Sequence, residues 1–340
     1  MGFDIPFCRP HYTSLITCRQ LKQNPLSEPR VSAKPSFSGY QDKFTAHLTV
    51  EGGKLFLSPV DQETERGNVI VKPAHLKYPF IAENEYICME LARHAGLPTP
   101  RVFLFQQPNL SLPRQHLAVE RFDVKVIDGQ AQMLNITEFA PLMGLVSAQK
   151  YEPTTEALFT QAQQNLPVND MKAFAKAYFL GSIVRNGDMH AKNFSVAVES
   201  DVMRLTPIYD MVNTEVYGIS TGGFRGASEA QGRAGSAPLS LNVYLALKLA
   251  NSYFPKMADI VKFLLNYLPM EDMEETAQAV RKNLSACANR AFAEAASPNM
   301  QKFRKRLEQS VSGGATQMLK AISRIKAESD PKTHIRRQKM

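Results

Sequence analysis

Three oxygen-bearing side chains stand at intervals that could serve one reaction. Asp188 and Asn193 lie in the octet Asn-Gly-Asp-Met-His-Ala-Lys-Asn, residues 186–193, and Asp210 follows a strand-like run over residues 203–209. Phosphoryl transfer needs a carboxylate that accepts the proton of the attacking hydroxyl, and oxygen ligands that hold Mg²⁺ against the phosphates. We therefore interpret Asp188 as the base and Asn193 and Asp210 as the metal ligands.

The spacing of these residues supports the same chemistry. Protein kinases place an Asn five residues after the catalytic Asp, as Asn193 follows Asp188, and a second Asp in the tripeptide D-F-G, which reads Tyr209-Asp210-Met211 here. The alternative is a surface turn rich in Asn, Gly and Asp, followed by an ordinary hairpin. The pattern favours a kinase that uses ATP and Mg²⁺.

Composition limits the class of protein. The chain has 340 residues, of which 44% are hydrophobic and 21% charged, as is typical of globular proteins. No secretory signal and no uninterrupted apolar run of spanning length is present, so we expect a soluble cytoplasmic protein with no membrane contact. The four cysteines show no metal-site or disulfide-scaffold spacing, which favours reduced thiols.

The net charge of +8 is concentrated near the C-terminus. Residues 301–340 hold 11 of the 40 Lys and Arg residues but only 3 of the 32 acidic residues. Such a surplus is typical of segments that contact nucleic acid or an acidic partner. The alternative, equally open, is a solvated helical face followed by a frayed end over residues 332–340.

The elements before the octet must bring a cation to the phosphates. Short antiparallel strands are predicted over residues 44–50, 54–57 and 68–72, which indicates a small β-rich lobe. A helix is predicted from about Phe80 to Ala95, because Gly96 and then Pro98 are typical stop signals.

Glu85 is the candidate partner for that cation. On a helical wheel it shares the apolar stripe of the 80–95 helix, whereas Glu83 and Glu90 lie off that stripe. A buried carboxylate needs a cation, and Lys72, at the end of the preceding strand, is the natural one. The alternative is a solvated Glu and an unrelated Lys.

The remaining chain is predicted to be mostly helical. A strand over residues 117–123 runs into a charged link, and apolar residues at helical spacing over 171–179 predict the helix that leads to the octet. Phe194, Val196 and Val198 alternate with polar residues and predict a strand. Further helices are predicted over residues 239–251, 255–267, 271–296 and 299–327, with a loop over the Gly-rich stretch 220–238.

Together these segments resemble the HipA-like serine/threonine kinase toxins of bacterial toxin–antitoxin systems. The motifs that carry the resemblance are Ser38-Gly39-Tyr40-Gln41-Asp42-Lys43, Val69-Ile70-Val71-Lys72, Asn84-Glu85-Tyr86, Val119-Glu120-Arg121-Phe122-Asp123, the octet 186–193 and Ile208-Tyr209-Asp210. They span residues 36 to about 220 in the family's order.

The resemblance implies a fold and its boundaries. The fold class is α+β, a two-lobed protein-kinase-like fold with a small β-rich N-lobe and a larger, mostly helical C-lobe. The N-lobe is expected over residues 1–118, a hinge over 119–125, the C-lobe over 126–330 and a basic tail over 331–340.

The resemblance also implies roles for individual residues. It places Lys72 on the nucleotide phosphates, the backbone of Glu120 and Phe122 on adenine, and Ser38 and Gly39 in a Gly-rich nucleotide loop, residues 36–43. His190 and Lys192 fall on the motif too, either beside the transferred phosphate or as braces of the loop. Autophosphorylation is expected in the Gly-rich loop, at Ser36 and Ser38.

Within the family, the chain is most like the HipT members of three-component HipBST modules. Only 35 residues precede the Gly-rich loop, and that loop carries paired serines. This implies a HipB-like helix-turn-helix antitoxin and a small HipS-like antitoxin as partners. It also implies an aminoacyl-tRNA synthetase as substrate, with the tryptophanyl enzyme preferred.

Two other functions stay open at this stage. One is a non-catalytic nucleotide-binding component that docks on an antitoxin and, through the basic C-terminus, on operator DNA. It is less favoured because Lys72, Asp188, Asn193 and Asp210 are all present. The other is a small-molecule or phosphoinositide kinase, which rests only on the distant likeness of the family to lipid kinases.

Overall fold

The computed structural model describes residues 17–18, 43–51, 54–60, 67–75, 78–106, 115–127, 130–199, 201–218, 245–293 and 297–329. The predictions for Ser36, Ser38, Gly39, the segment 220–238 and the tail 331–340 lie outside these residues. Within them, the chain has an α+β fold in which a sheet-rich N-lobe precedes a helix-rich C-lobe. The predicted fold class is confirmed.

The N-lobe is built on a sheet with the strand order β1-β3-β2-β4-β6-β5. All neighbouring strands are antiparallel except β1, which pairs in parallel with β3. This confirms the predicted antiparallel strands. The strands are β1 (Thr17–Cys18), β2 (Phe44–Glu51), β3 (Lys54–Pro59), β4 (Val69–Lys72), β5 (Val102–Gln106) and β6 (Gln115–Glu120).

The alternation of side chains along β4 decides what faces the cleft. Val69 and Val71 are buried in a small core on one face of the sheet. Because successive side chains of a strand point to opposite faces, Ile70 and Lys72 lie on the other face, where both line the cleft between the lobes. Strand register therefore aims Lys72 at the cleft.

The helix α1 (Ile81–His94) crosses behind this sheet and follows its prediction closely. It ends at Gly96, whose φ of 79° is left-handed and whose N–H donates to the carbonyl of Arg93. Although the wheel places Glu83 and Glu90 off the apolar stripe, both are buried. The reason is that α1 packs against β5 and β6 on one side and a C-lobe helix, residues 270–291, on the other.

The C-lobe surrounds a core that continues into α1. Its helix α4 (Val168–Ile183) carries the predicted apolar spacing and leads directly to the octet. Gly314 of helix α7 (Pro298–Ser329) lies so close to the backbone of Ile183 that a Cβ at Gly314 would meet the carbonyl oxygen of Ile183. The helices are α2 (Phe139–Leu142), α3 (Thr155–Asn165), α4 (Val168–Ile183), α5 (Met257–Leu264), α6 (Met270–Ala291) and α7 (Pro298–Ser329).

Small sheets place the two halves of the candidate site next to each other. The strands β9 (Ile136–Glu138), β10 (Ser195–Glu199) and β11 (Val202–Leu205) form a sheet in the order β11-β10-β9, and β7 (Val124–Ile127) pairs with β8 (Gln130–Met133). The hairpin of β10 and β11 confirms the prediction for residues 194–198. It returns the chain toward the octet before Asp210.

One predicted helix is wrong where it can be compared. Residues 245–251 of the predicted 239–251 helix form no helix, and Leu249 instead bridges to Ser252. Leu245, Leu247 and Leu249 are all buried at a spacing of two, which suits extended backbone better than a helix. Ala250 and Asn251 have positive φ, which ends any regular structure.

No helix in the described ranges combines the length and the apolar character that crossing a membrane requires.

Candidate active site

Lys72 lies between two carboxylates. Its Nζ is 2.6 Å from Oε1 of Glu85 and also donates to Oδ1 of Asp210. The predicted contact of Lys72 with Glu85 is confirmed. Strand β4, helix α1 and the segment after β11 therefore meet at one ammonium group.

Electrostatics hold Lys72 and Asp210 in their charged forms. Burial alone would lower the pKa of Lys72, but Asp210 and Glu85 outweigh it, and the pKa is raised above its usual value. Burial alone would raise the pKa of Asp210, but the Lys72 ammonium outweighs it, and the pKa is lowered. The wall of the cleft therefore carries the positive charge of Lys72 beside the negative charge of Asp210.

Asp188 is held by its own loop and by one distant side chain. Its backbone N–H donates to Oδ1 of Asn186 at 3.1 Å, and the N–H of Gly187 donates to Oγ1 of Thr214 at 2.9 Å. The hydroxyl of Tyr151 donates to Oδ1 of Asp188 at 2.5 Å. Only 3% of Asp188 is exposed. The carboxylate therefore lies under the cleft surface in a defined orientation.

His190 lies beside that carboxylate as a neutral ring. Its Nε2 is 4.0 Å from Oδ1 of Asp188. Burial, followed by the nearby charge of Lys150, lowers the pKa of His190 to about 3. Its Nδ1 accepts from the N–H of Lys192, so the ring proton belongs on Nε2. Among the described residues, Nε2 meets no hydrogen-bond partner, and the ring lines the cleft.

Lys192 and Asn193 complete the loop in different ways. The Nζ of Lys192 lies 3.2 Å from Oγ of Ser147 and 3.4 Å from Oε2 of Glu138, near the cleft rim. The Oδ1 of Asn193 accepts from the N–H of His190 at 3.1 Å. A carbonyl oxygen has a second lone pair, so Oδ1 can also bind a metal. The side-chain amide of Asn193 therefore has a fixed orientation, and Asn193 lines the cleft.

Asp210 is aimed by its neighbour Tyr209. The hydroxyl of Tyr209 donates to the carbonyl of Lys192 at 3.0 Å, and its ring stacks on Phe122 at 5.7 Å between centroids. Asp210 itself has a φ of 56°, a left-handed conformation that Asp tolerates better than most residues. This turn directs its carboxylate back toward Lys72.

The link between the lobes presents backbone rather than side chains. The carboxylate of Glu120 pairs with Arg101 at 2.5 Å, and its N–H donates to the carbonyl of Arg101 at 2.9 Å. Its carbonyl oxygen is the group that can accept from a ligand. The N–H of Phe122 donates to no backbone acceptor in the part of the chain that the structure describes. An acceptor and a donor two residues apart suit the edge of an adenine ring.

These residues share one cleft of about 810 Å³, a size typical of nucleotide and cofactor sites. Most residues predicted from the sequence line it, but Asp188 lies behind His190 and Tyr151, and Ser36, Ser38 and Gly39 fall outside the described residues. The predicted residues that line the cleft are Lys72, Glu85, Glu120, Phe122, His190, Lys192, Asn193 and Asp210.

The donor set fits a metal that arrives with phosphates. In the described ranges, no three His, Cys, Asp or Glu side chains gather as a metal cluster. Mg²⁺ in nucleotide sites is usually held by one or two protein oxygens, with phosphates and water filling the rest. Asn193 and Asp210 supply such a pair, and Lys72 supplies a cation for the phosphates.

Sequence reasoning missed one residue that lines this cleft and one that contacts Asp188 beneath it. Lys150 and Tyr151 follow a short 3₁₀ turn, Ser147–Gln149, and Lys150 lines the cleft although only 8% of it is exposed. Nothing in their spacing resembles a catalytic pattern. The only signal was a cation next to an aromatic residue in an otherwise polar loop.

A buried polar network fixes the site from behind. The side-chain amide of Asn84 exchanges two hydrogen bonds with the backbone of Asn213, at 2.8 and 3.0 Å. Nδ2 of Asn213 donates to Oγ of Ser310 at 2.8 Å, and that hydroxyl donates to Glu215 at 2.6 Å. The neighbour of Glu85, the segment after Asp210 and α7 are therefore joined.

The arrangement of lobes and cleft defines a kinase-like class of α+β protein. A chain from the Shewanella oneidensis MR-1 complex of HipA, HipB and operator DNA matches 88% of this chain and 69% of its own length, with a TM-score of 0.66. The two chains are 19% identical, so this likeness concerns the fold alone.

The sequence profile of the HipA-like C-terminal domain matches residues 35–295. That range is more than half of the chain, and the protein belongs to this family.

Individual relatives are more distant. Y4mE of Sinorhizobium fredii, a protein named provisionally as a kinase, is 28% identical over 204 residues, which is 58% of this chain and 46% of that protein. The serine/threonine-protein kinase toxin HipA of Shewanella oneidensis is 26% identical over 159 residues, 42% of this chain and 36% of that protein. The chain spans about half the length of the curated relatives it matches.

Proposed function

We propose that this protein is a serine/threonine-protein kinase that transfers the γ-phosphoryl group of ATP, with Mg²⁺, to a protein hydroxyl. The observation that carries the proposal is the ammonium of Lys72 held between Glu85 and Asp210, on a cleft whose floor is the 186–193 loop. Membership of the HipA-like family supports the same reaction.

In this proposal, bound Mg²⁺ and ATP supply the phosphoryl group and the charge neutralisation around it. Asp188 accepts the proton of the attacking hydroxyl. The oxygen of that hydroxyl bonds to the γ-phosphorus, and the bond from that phosphorus to the bridging oxygen of ADP breaks. Lys72 orients the phosphates, while Asn193 and Asp210 would hold the metal.

The remaining cleft residues bind and orient. The carbonyl of Glu120 and the N–H of Phe122 would hold adenine. The neutral ring of His190 lines the cleft, and Lys192 braces the rim through Glu138. Preorganised donors and cations of this kind stabilise charge that develops during transfer.

The Gly-rich loop 36–43 is the proposed site of regulation. We infer that Ser36 and Ser38 are autophosphorylated and that Ser38 and Gly39 otherwise contact ATP. A phosphoserine adds about −1.5 to −2 charges. In a loop meant to hold nucleotide phosphates, that charge should repel ATP and switch the enzyme off.

We further propose that the kinase is the toxin of a HipT-like system. The paired serines support this subtype. Its substrate would be an aminoacyl-tRNA synthetase, with the tryptophanyl enzyme preferred, and the absence of Trp from this chain would spare its own synthesis. A HipB-like and a HipS-like antitoxin would be its partners. The structural match to a complex of HipA, HipB and operator DNA supports the first of these.

Replacing the base tests the reaction. We expect Asp188→Asn to slow labelling of the protein by radioactive ATP and Mg²⁺ by about 10²–10⁴-fold, because that is the rate a general base contributes. Asp201→Asn is the matched control, because Asp201 lies in the exposed turn between β10 and β11. Phosphopeptide mass spectrometry after induction in cells would then identify the target and any modification of Ser36 or Ser38.

Labelling of the Asp188 variant at the rate of the unmodified protein would overturn the assignment. Nucleotide binding without transfer by the unmodified protein would favour the non-catalytic alternative, a component that docks on an antitoxin and operator DNA. Phosphopeptides without a synthetase site would remove the proposed target but leave the kinase.

A further inference from the structure

We propose that Tyr151 is a positioning residue that orients Asp188 for phosphoryl transfer. The inference rests on the proposed function of the same cleft. It assigns a role to a residue that no motif in the chain marks.

The contact itself is short and directed. The Tyr151 hydroxyl donates to Oδ1 of Asp188 at 2.5 Å, across 37 positions of sequence. A carboxylate accepts such a bond strongly because the acceptor is charged. Nε2 of His190 lies 4.0 Å from the same oxygen. At that distance Nε2 makes no hydrogen bond to Oδ1, so the Tyr151 hydroxyl rather than His190 holds this oxygen.

The ring of Tyr151 is fixed from two directions. It packs edge-to-face with His190 at 4.8 Å between centroids and an angle of 73°, and Nζ of Lys150 lies 5.0 Å from its centroid. The backbone is tied as well, because the carbonyl of Lys150 accepts from the N–H of Ala191 in the octet at 3.3 Å. A side chain held at its ring and at the neighbouring backbone is suited to support Asp188 and less suited to move away during the reaction.

The chemical consequence concerns orientation. A base must point one oxygen at the hydroxyl it deprotonates, and small misplacements of such groups cost much rate. A hydrogen bond to Oδ1 limits rotation of the carboxylate and so fixes the direction in which it meets the acceptor hydroxyl. Since this matters only when the proton moves, loss of the bond should lower kcat and leave nucleotide binding intact.

The test compares Tyr151→Phe with Tyr253→Phe in the full chain. Tyr253 is the matched control because it also carries a lysine, Lys248, over its ring at 5.2 Å, yet it is an exposed residue. We expect Tyr151→Phe to lower the rate of self-labelling at saturating ATP by about tenfold to a hundredfold. The ATP concentration for half-maximal rate and the affinity for a fluorescent ATP analogue with Mg²⁺ should change less than twofold.

A double variant separates positioning from general damage. In the Asp188→Asn background, Tyr151→Phe should cause no further loss of residual labelling, because both changes act through one group. Additive loss would overturn the proposal. Loss of nucleotide affinity and thermal stability along with rate in Tyr151→Phe would also overturn it. A Tyr151→Phe variant faster than the unmodified protein would contradict it too, because Tyr151 would then restrain the reaction.

Failure of the inference can be told from failure of the proposed function. If the unmodified protein does not label itself, the kinase assignment fails first. If it labels itself and Asp188→Asn is slowed as expected, but Tyr151→Phe equals Tyr253→Phe, only the role of Tyr151 is wrong.

Discussion

Lys72 joins parts of the chain that are 13 and 138 positions away, through Glu85 and Asp210. The first partner was predictable, because a strand end and the next helix are neighbours in sequence and the wheel turned Glu85 inward. The second was predictable only by motif. No local pattern in residues 203–210 predicts that the carboxylate of Asp210 turns back toward Lys72. The left-handed backbone conformation of Asp210 produces this turn.

Removing the charge of Glu85 tests whether this contact serves nucleotide phosphates. Glu85→Gln keeps the shape of the side chain but weakens its hold on the ammonium, 2.6 Å away. We expect kcat/KM for ATP to fall by about tenfold or more, because charge-assisted bonds of this kind contribute about 1.5–3 kcal/mol. The measurement is the transfer rate over a range of ATP concentrations.

Glu275→Gln provides the comparison, since Glu275 is an exposed acid on α6. Equal rates for the two variants would show that the Lys72 and Glu85 pair is only structural.

Other residues of the site had no sequence signal that could have found them. Tyr151 and Lys150 reach Asp188 because α2 and the following 3₁₀ turn pack under the octet, a consequence of tertiary folding. Asn84 and Asn213 are linked for the same reason. Motif spacing identifies residues that share a loop, whereas these contacts depend on where separate loops meet.

At the scale of elements, α1 shows why a helical wheel can misplace charges. The wheel assumes one buried face, but α1 is covered by the sheet and by α6. Glu83 is consequently only 2% exposed. Burial, partly offset by a hydrogen bond from its own backbone N–H, raises the pKa of Glu83 to about 7.

Because the pKa of Glu83 is raised, the free energy of unfolding falls as the pH rises. The folded protein binds the Glu83 proton more tightly than the unfolded chain, whose Glu has a pKa of 4.5. The contribution of Glu83 to stability is therefore full below pH 4.5 and is lost as pH rises to about 7, a fall of about 3 kcal/mol. Glu83→Gln cannot ionise, so it should lack this fall and be more stable than the unmodified protein at pH 8.

Urea unfolding at pH 5 and pH 8 measures the effect. Glu271→Gln is the control, because Glu271 is an exposed acid in the first turn of α6. If Glu83→Gln shows the same loss of stability between the two pH values as the unmodified protein, Glu83 does not carry the shift.

Residues 245–252 show a second limit at this scale. Leu, Ala and Lys have high helix propensity, which favoured a helix there. Burial of Leu245, Leu247 and Leu249 outweighs this propensity in the folded protein, because it places all three side chains in the core. Propensity is the weaker effect where every second residue can be buried.

At the scale of the whole molecule, the two lobes are joined by more than the chain that follows β6. Asn84 of α1, Asn213 and Ser310 of α7 form a continuous buried network. Removing one member would leave buried polar groups unpaired, at a cost of about 1–3 kcal/mol each. The position of α1, and with it Glu85, is thus set by the C-lobe.

The strands and helices that carry the site motifs were predictable from the sequence, because strand alternation, helix periodicity and stop signals are local, whereas the two-lobed fold class followed from the family resemblance. The packing of α6 and α7 behind α1 was not, since their apolar faces do not specify a partner. The position of the cleft followed from motifs, but its depth and the cover over Asp188 followed from packing.

The most direct test of the central claim is a crystal structure with a non-hydrolysable ATP analogue and Mn²⁺ in place of Mg²⁺. Anomalous scattering locates the metal independently of the protein. We predict a metal at coordination distance, about 2.1 Å, from Oδ1 of Asn193 and a carboxylate oxygen of Asp210, with Lys72 on the phosphates and Asp188 facing the γ-phosphate. A metal bound elsewhere, or a triphosphate outside this cleft, would contradict the account.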